Sequence, residues 1–354
     1  MGGGMNSEFG IQNSELGLAT QDARGLFARV LRGEVVPVPP IWLMRQAGRY
    51  HGHYQQLRAR HSFDALCRTP ELAADVAMGP VSDFDFDAAI LFSDLLFPLE
   101  AVGFGLSYDA GPPRLDGSLT FDRVGAFRPQ PEALDRLDFQ RQAMLATRAR
   151  LSPDKGLIGF VGGPWTLFVY AVEGTHAGAL ARSKSSMDLY RAFADRMVPL
   201  LVENIRLQFQ GGADVVMVFD TAAGELGPDD FQRSIAGDLE TMARAFPQQL
   251  GYYAKGRRRP SGPFAGFGFD AQWNLAETLR QPHEGFVQGN FDQVLLKLTG
   301  DELDGALDRF LAPLRALSAQ DRRGWICGLG HGVLPGTPEE SVRTFVTRVR
   351  RSFE

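Results

Sequence analysis

Apolar residues recur along this chain in two rhythms. Short unbroken runs alternate with longer stretches in which they return every third or fourth position, the signatures of buried strands and amphipathic helices. Ala23, Leu26, Phe27, Val30 and Leu31 fall at helical spacing. They predict a short helix ahead of a first strand at 41–44, which follows Pro39-Pro40 and is too brief for a helix. Thr69-Pro70-Glu71 opens a helix reaching about Asp83, and a second strand at 88–92 ends in Ser93-Asp94. The Gly- and Pro-rich stretch 104–127 reads as an excursion containing a hairpin. A helix near 131–149 leads into a strand at 157–160, which exits into Gly162-Gly163-Pro164-Trp165. A long helix over about 186–209 stops at Gly211-Gly212. Residues 214–219 read as a strand whose Val-Val-Met-Val-Phe run is apolar on both faces, as in a buried parallel strand. A helix follows Pro228, weaker strands are read at 249–253, 264–267 and 286–289, and the last strand is 325–327. The final helix opens at Thr337-Pro338-Glu339-Glu340, which predicts a hydroxyl cap, Pro in the first turn and a capping-box Glu.

These are eight short strands, most of them separated by helices. The alternation predicts an α/β fold, a single (β/α)8 barrel over residues 21–354, rather than a doubly wound sheet. No Pro/Gly/Ser linker divides the chain, and no glycine-rich fingerprint for a dinucleotide or a P-loop is present. The fifth and sixth strands are joined by a short basic crossover, 256–263, where a full helix is expected. Residues 1–20 hold Glu8 and Glu15, no basic residue and no apolar block. They read as a disordered or tag-derived leader and not as a targeting segment.

Composition narrows the function. Of 354 residues, 44% are hydrophobic and 22% charged, ample material for a globular core. A formal charge of -5 supplies no general attraction to nucleic acid or to a membrane surface, so an acidic ligand has to be met by a local cationic patch. Two cysteines, Cys67 and Cys327, make no disulfide framework and too few ligands for a zinc site; a cytoplasmic location is expected.

In a barrel of this type the reacting groups leave the C-terminal ends of the strands. The first strand exits into Arg45-Gln46-Ala47-Gly48-Arg49-Tyr50. Two arginines four apart, with Gly48 freeing the backbone between them, favour a bidentate anion site over structural ion pairs. Asp94 leaves the second strand in an apolar surround. It serves either as a helix N-cap or as a buried functional carboxylate, and the functional reading is preferred. Tyr170 suits a core tyrosine or a ligand equally, Thr221 suits a helix cap, and His331 lies between two glycines that let backbone approach closely. His51, His53 and His61 lack partners at metal-ligand spacing and read as a solvated loop set, as does Arg257-Arg258-Arg259.

Five stretches, in this order, resemble the uroporphyrinogen decarboxylase family: Arg45-Gln-Ala-Gly-Arg49-Tyr50, Phe92-Ser-Asp94, Gly163-Pro-Trp-Thr with Tyr170 and Glu173-Gly174, Phe219-Asp-Thr221-Ala-Ala-Gly224, and Gly330-His331-Gly332. The resemblance covers the chain from about Arg24 to its end. It implies a homodimer of single barrels acting on a tetrapyrrole, with no metal and no organic cofactor. It also implies Asp94, Arg45 and Arg49 as catalytic residues and Gln46, Tyr54, Tyr170, Thr221 and His331 as substrate ligands. The departures are Gly52-His53 before Tyr54, where the family has Pro-Glu, the block Gly289-Asn290-Phe291-Asp292-Gln293, and the shortened crossover. Two other readings are a corrinoid-linked methyltransferase, whose zinc-binding His-x-Cys pair this sequence lacks, and a tetrapyrrole-binding protein without turnover.

Overall fold

The computed structural model describes residues 25–108, 112–176, 178–256 and 259–354. The leader 1–20, Ala23, and the arginines 257 and 258 lie outside these residues. The described strands are β1 (Ala88–Ile90), β2 (Leu106–Ser107), β3 (Arg114–Leu115), β4 (Gly156–Gly162), β5 (Val215–Phe219), β6 (Leu250–Tyr253), β7 (Gly266–Gly268), β8 (Phe286–Phe291) and β9 (Trp325–Leu329). Seven of them form one parallel sheet in the order β1-β4-β5-β6-β7-β8-β9. β2 and β3 pair antiparallel in the excursion, where a hairpin is predicted.

The expected first strand, 41–44, forms no regular strand. It contributes one parallel bridge, Ile41 to Cys327 on β9. Side chains take the backbone donors that a ladder toward β1 would use. Ile41 N–H donates to Asp87 Oδ2 at 2.7 Å and Leu43 N–H to Gln46 Oε1 at 3.2 Å, while Asp87 N–H returns a bond to Ile41 O at 2.8 Å. Pro39 and Pro40, with no N–H to offer, shorten any pairing on the other side. The segment therefore touches both outer strands of the sheet through isolated bonds.

Inside the curl of the sheet, Trp42, Ile90, Ile158, Val215, Met217, Tyr253, Phe286 and Ile326 pack into one buried cluster. The helix Leu26–Leu31 closes one end of it with Phe27 and Val30. Glycine makes room at the tightest points. A Cβ at Gly251 would lie 2.3 Å from Met217 Sδ and 2.6 Å from the Phe286 ring. On the outside, helices Pro70–Phe84, Asp138–Arg150, Met187–Gln210, Gly300–Arg315 and Glu339–Phe353 carry the second apolar layer. Between β6 and β7 no helix intervenes among the described residues, as the short crossover predicts.

Two local expectations fail for identifiable reasons. The predicted cap at Thr337 is not made: its hydroxyl is buried without a partner, and the helix starts at Glu339. Glu339 instead reaches across the chain, accepting from Gly52 N–H at 2.6 Å. His51 is no solvated loop residue; it is fully buried and bonded through Nε2 to Asp83 at 2.7 Å, while His53 bonds Asp75 O at 3.0 Å. Arg259 is an exposed loop residue, as expected, and lays its guanidinium over Phe269 at 4.5 Å and Trp273 at 4.4 Å. Cys67 and Cys327 are free, wholly buried thiols, and burial pushes both well above the usual thiol range. Among the described residues no helix is long and apolar enough to cross a membrane.

Candidate active site

The C-terminal ends of β1, β4, β5 and β9 surround a cavity of about 230 Å³. Its apolar wall comes from the strand residues Ile90, Phe160 and Phe219, whose alternation points them inward, and from Met44 in the irregular first segment. Set into that wall are Arg45, Asp94, Tyr170, Thr221 and His331. Five of the eight predicted site residues thus meet in one place.

Asp94 lies just beyond β1, where the chain turns toward the helix Phe97–Val102. Its Oδ1 accepts from Leu96 N–H at 2.8 Å, a local turn bond; the N-cap of that helix is Leu96, so Asp94 does not cap it. The other oxygen has no hydrogen-bond partner among the described residues. Burial pushes this carboxyl up to about 6, against the opposing pull of the Leu96 N–H and the Arg45 charge.

Arg45 holds the unusual backbone of the first block. Its φ is +62°, in the left-handed region, whereas Gly48, expected to supply that freedom, is not. The turn is closed by Gln46 N–H to Leu43 O at 2.9 Å and pinned by Val333 N–H to Met44 O at 2.9 Å. Gly332 gives the side chain its path, since a Cβ there would sit 2.4 Å from Arg45 Cδ. Arg45 makes no ion pair among the described residues, which leaves its fork free for an anion.

Three predicted residues stand apart from the cavity wall. Gln46 is fully buried and spends its amide on backbone, with Nε2 donating to Ala88 O at 2.9 Å and Oε1 accepting from Leu43. Tyr54 packs behind the wall against Phe92, ring centroids 5.6 Å apart. Arg49 is exposed, with its carbonyl accepting from Gln55 Nε2. Asn290 at the end of β8 is structural too, donating to the carbonyls of Asp270 and Trp273.

Thr221 is aimed by its neighbour at the same strand exit, to which the sequence reading assigned no role. Asp220 is fully buried and accepts from Thr166 N–H at 2.8 Å and Tyr252 Oη–H at 3.4 Å, while Thr166 Oγ1 accepts from Ala222 N–H at 3.0 Å. This ties the start of the helix Pro164–Glu173 to the turn carrying Thr221. Burial pushes the Asp220 carboxyl up to about 6. Gly163 is needed there, since its Cβ would fall 2.2 Å from the Asp220 carboxyl carbon.

His331 Nδ1 accepts from Gly332 N–H at 2.7 Å, so its neutral ring carries the proton on Nε2 and acts as a donor there. Burial, with the charges of Arg45 and Lys255, lowers it to about 4. Lys255 was also missed. It follows β6 on a loop fixed by Gly256 N–H to Asp270 Oδ2 at 2.5 Å and Trp273 Nε1–H to Gly256 O at 3.1 Å. Tyr170 Oη lies 2.5 Å from His176 Nδ1. The signal for His176 was Gly174, whose αL conformation turns the chain back over the last helical turn.

The family model for uroporphyrinogen decarboxylase (URO-D) matches residues 22–352. The chain belongs to the uroporphyrinogen decarboxylase family. A relative from Synechococcus sp. named uroporphyrinogen decarboxylase is 33% identical over 345 residues, 92% of this chain and 97% of that protein. One from Paracoccus denitrificans with the same name is 34% identical over 343 residues, 91% of this chain and 98% of its own length. Among solved structures, a methyltransferase from Methanosarcina mazei superposes with a TM-score of 0.70 over 93% of this chain and 98% of that one. At 19% identity that likeness speaks for the fold alone. Within the uroporphyrinogen decarboxylase family, then, this chain presents a central carboxylate, a free arginine, and neutral donors on one apolar wall.

Proposed function

We propose that the chain decarboxylates the four acetate side chains of uroporphyrinogen III, giving coproporphyrinogen III. Family membership over nearly the whole chain supports the activity. The observation that carries the mechanism is Asp94: a carboxylate in an apolar wall with one oxygen left open.

Above pH 6 Asp94 is ionised and accepts the pyrrole N–H groups at the centre of the substrate. The same charge stabilises the cationic pyrrole formed when a ring carbon takes up a proton. That ring is the electron sink: the bond to the carboxylate breaks, its electron pair flows into the ring, CO2 leaves, a proton adds at the methylene carbon to complete a methyl group, and the ring carbon gives back the proton it had taken up. Each acetate thus consumes one proton and releases one CO2, a route in which the substrate supplies its own electron sink. Arg45, held in its strained turn and lacking an ion-pair partner, binds a peripheral carboxylate bidentately. Tyr170, Thr221 and the Nε2–H of His331 donate to further acetate and propionate groups. Arg49 reaches the carboxylates at the rim, and Gln46 and Tyr54 act from behind the wall, keeping Arg45 and Phe92 in place.

The segment 41–44 serves as the eighth, irregular staple of a closed (β/α)8 barrel, a reading supported by its bonds to both β9 and Asp87. Two such barrels pair as a cytoplasmic homodimer.

The test is anaerobic incubation with uroporphyrinogen, followed by separation of the oxidised porphyrins by carboxylate number. A ladder from eight carboxyl groups to four is the expected result. Unchanged substrate from a folded protein overturns the reading in favour of tetrapyrrole binding without turnover.

A further inference from the structure

His176 belongs to none of the blocks that define the family resemblance, yet it forms the closest polar contact of any group on the cavity wall. Its Nδ1 lies 2.5 Å from Tyr170 Oη, and the two rings pack with centroids 5.3 Å apart at 41°. Tyr170 faces the cavity and His176 stands beside it, half-buried, on the turn that Gly174 (φ +78°) folds back from the helix Pro164–Glu173.

A hydrogen bond between a phenol and an imidazole nitrogen has two directions, with opposite consequences for a third partner. If Nδ1 accepts the phenolic proton, the tyrosine oxygen shows only lone pairs to the cavity and repels a carboxylate. If Nδ1–H donates to the oxygen, the phenolic O–H is free to point at that carboxylate. Burial and the cations Arg45 and Lys255 lower the proton affinity of His176, so the ring is neutral and has one N–H to place. An anion arriving at Tyr170 selects the arrangement with that proton on Nδ1.

We infer that His176 is a positioning residue: its Nδ1–H donates to Tyr170 Oη and turns the phenolic O–H toward a substrate carboxylate. The inference rests on the reading of Tyr170 as a carboxylate ligand. His176 then touches no reacting atom, and its contribution appears in substrate capture more than in the chemical step.

A double-mutant cycle in steady-state turnover of uroporphyrinogen tests this, with His176→Phe, His176→Asn, Tyr170→Phe and the double variant His176→Phe/Tyr170→Phe. Losing one oriented hydrogen bond to a carboxylate raises KM by about tenfold. His176→Phe is expected to show that rise with kcat nearly unchanged, and His176→Asn, which returns an N–H near the same point, recovers most of it. Tyr170→Phe raises KM at least as far, and adding His176→Phe to it changes nothing further. If Tyr170→Phe is impaired while His176→Phe behaves as the unsubstituted chain, the inference is overturned and the reading of Tyr170 stands. If the two effects multiply, His176 acts independently and the inference also falls. If Tyr170→Phe is itself silent, the reading of Tyr170 fails first. Should His176→Phe lower Tm, His176→Ala replaces it in the cycle.

Discussion

Asp94 and His331 line one cavity with their proton affinities exchanged. The carboxyl titrates near 6 and the imidazole near 4, so between these values both are neutral, and they form no ion pair at any point of that window. Burial drives the two in opposite directions because it disfavours whichever form is charged. The cations Arg45 and Lys255 push the imidazole further down, while Arg45 and the Leu96 N–H restrain the rise of the carboxyl without cancelling it.

The first consequence concerns Asp94. In the proposed mechanism turnover uses its anion, so kcat should fall about tenfold per pH unit below 6. Asp94→Asn should cut kcat by about 10²–10³-fold, the usual loss on removing a central electrostatic stabiliser. Stability should move the other way. A carboxyl raised above its unfolded value favours the native state at low pH, and that advantage is lost as pH rises through 6. At pH 7.5 the Asn variant should therefore melt no lower than the parent. Retained turnover, or a large fall in Tm, would count against the central-carboxylate mechanism.

His331 carries the opposite sign. Its affinity is depressed from 6.5 to about 4, so its contribution to stability is complete above 6.5 and is lost as pH falls toward 4. Urea unfolding between pH 6.5 and 4 should show a component of up to about 1.4 kcal/mol per pH unit that disappears in His331→Gln. An unaltered slope in that variant would mean that the imidazole is not held neutral.

Gln46 separates a structural residue from a ligand. Gln46→Leu strands the Ala88 carbonyl and the Leu43 N–H in a buried setting, at a cost of about 2–4 kcal/mol. The folded fraction should keep the parental kcat/KM within a few-fold once protein concentration is corrected by active-site titration. A selective rise in KM with unchanged Tm would instead make Gln46 a direct ligand.

Gly332→Ala probes how Arg45 reaches the cavity. The added methyl would lie 2.4 Å from Arg45 Cδ and 2.7 Å from Cγ, so the arginine stem has to move. KM for uroporphyrinogen should rise about tenfold while Tm changes little, because the space is given up by a side chain and not by backbone. An unchanged KM would show that the position of Arg45 is not used.

Much of this was legible from residue order. The buried run 215–219 and the long helix ending at Gly211 appear where periodicity puts them, since continuous apolar burial and a terminal glycine are local signals. The meeting of Arg45, Asp94, Tyr170, Thr221 and His331 followed from strand-exit logic together with the family blocks. What escaped was set by distant partners. The ladder expected at 41–44 lost its donors to Asp87 and Gln46, the Glu339 cap turned to Gly52, and His51 was buried against Asp83. Each is a competition between a local rule and a side chain that folding delivers from elsewhere, and nothing in the short sequence window around the position records the competitor.

The two cysteines offer an internal clock. Cys67 packs beneath the excursion on one flank and Cys327 sits in β9, each at 0% exposure with its thiol held protonated. Neither can meet an alkylating reagent while the native packing persists, so labelling at either sulfur counts openings of the chain around it. Because one thiol reports the helical flank and the other the sheet, comparing their labelling rates under mild denaturant would reveal whether the molecule opens as one body or sheds its excursion first.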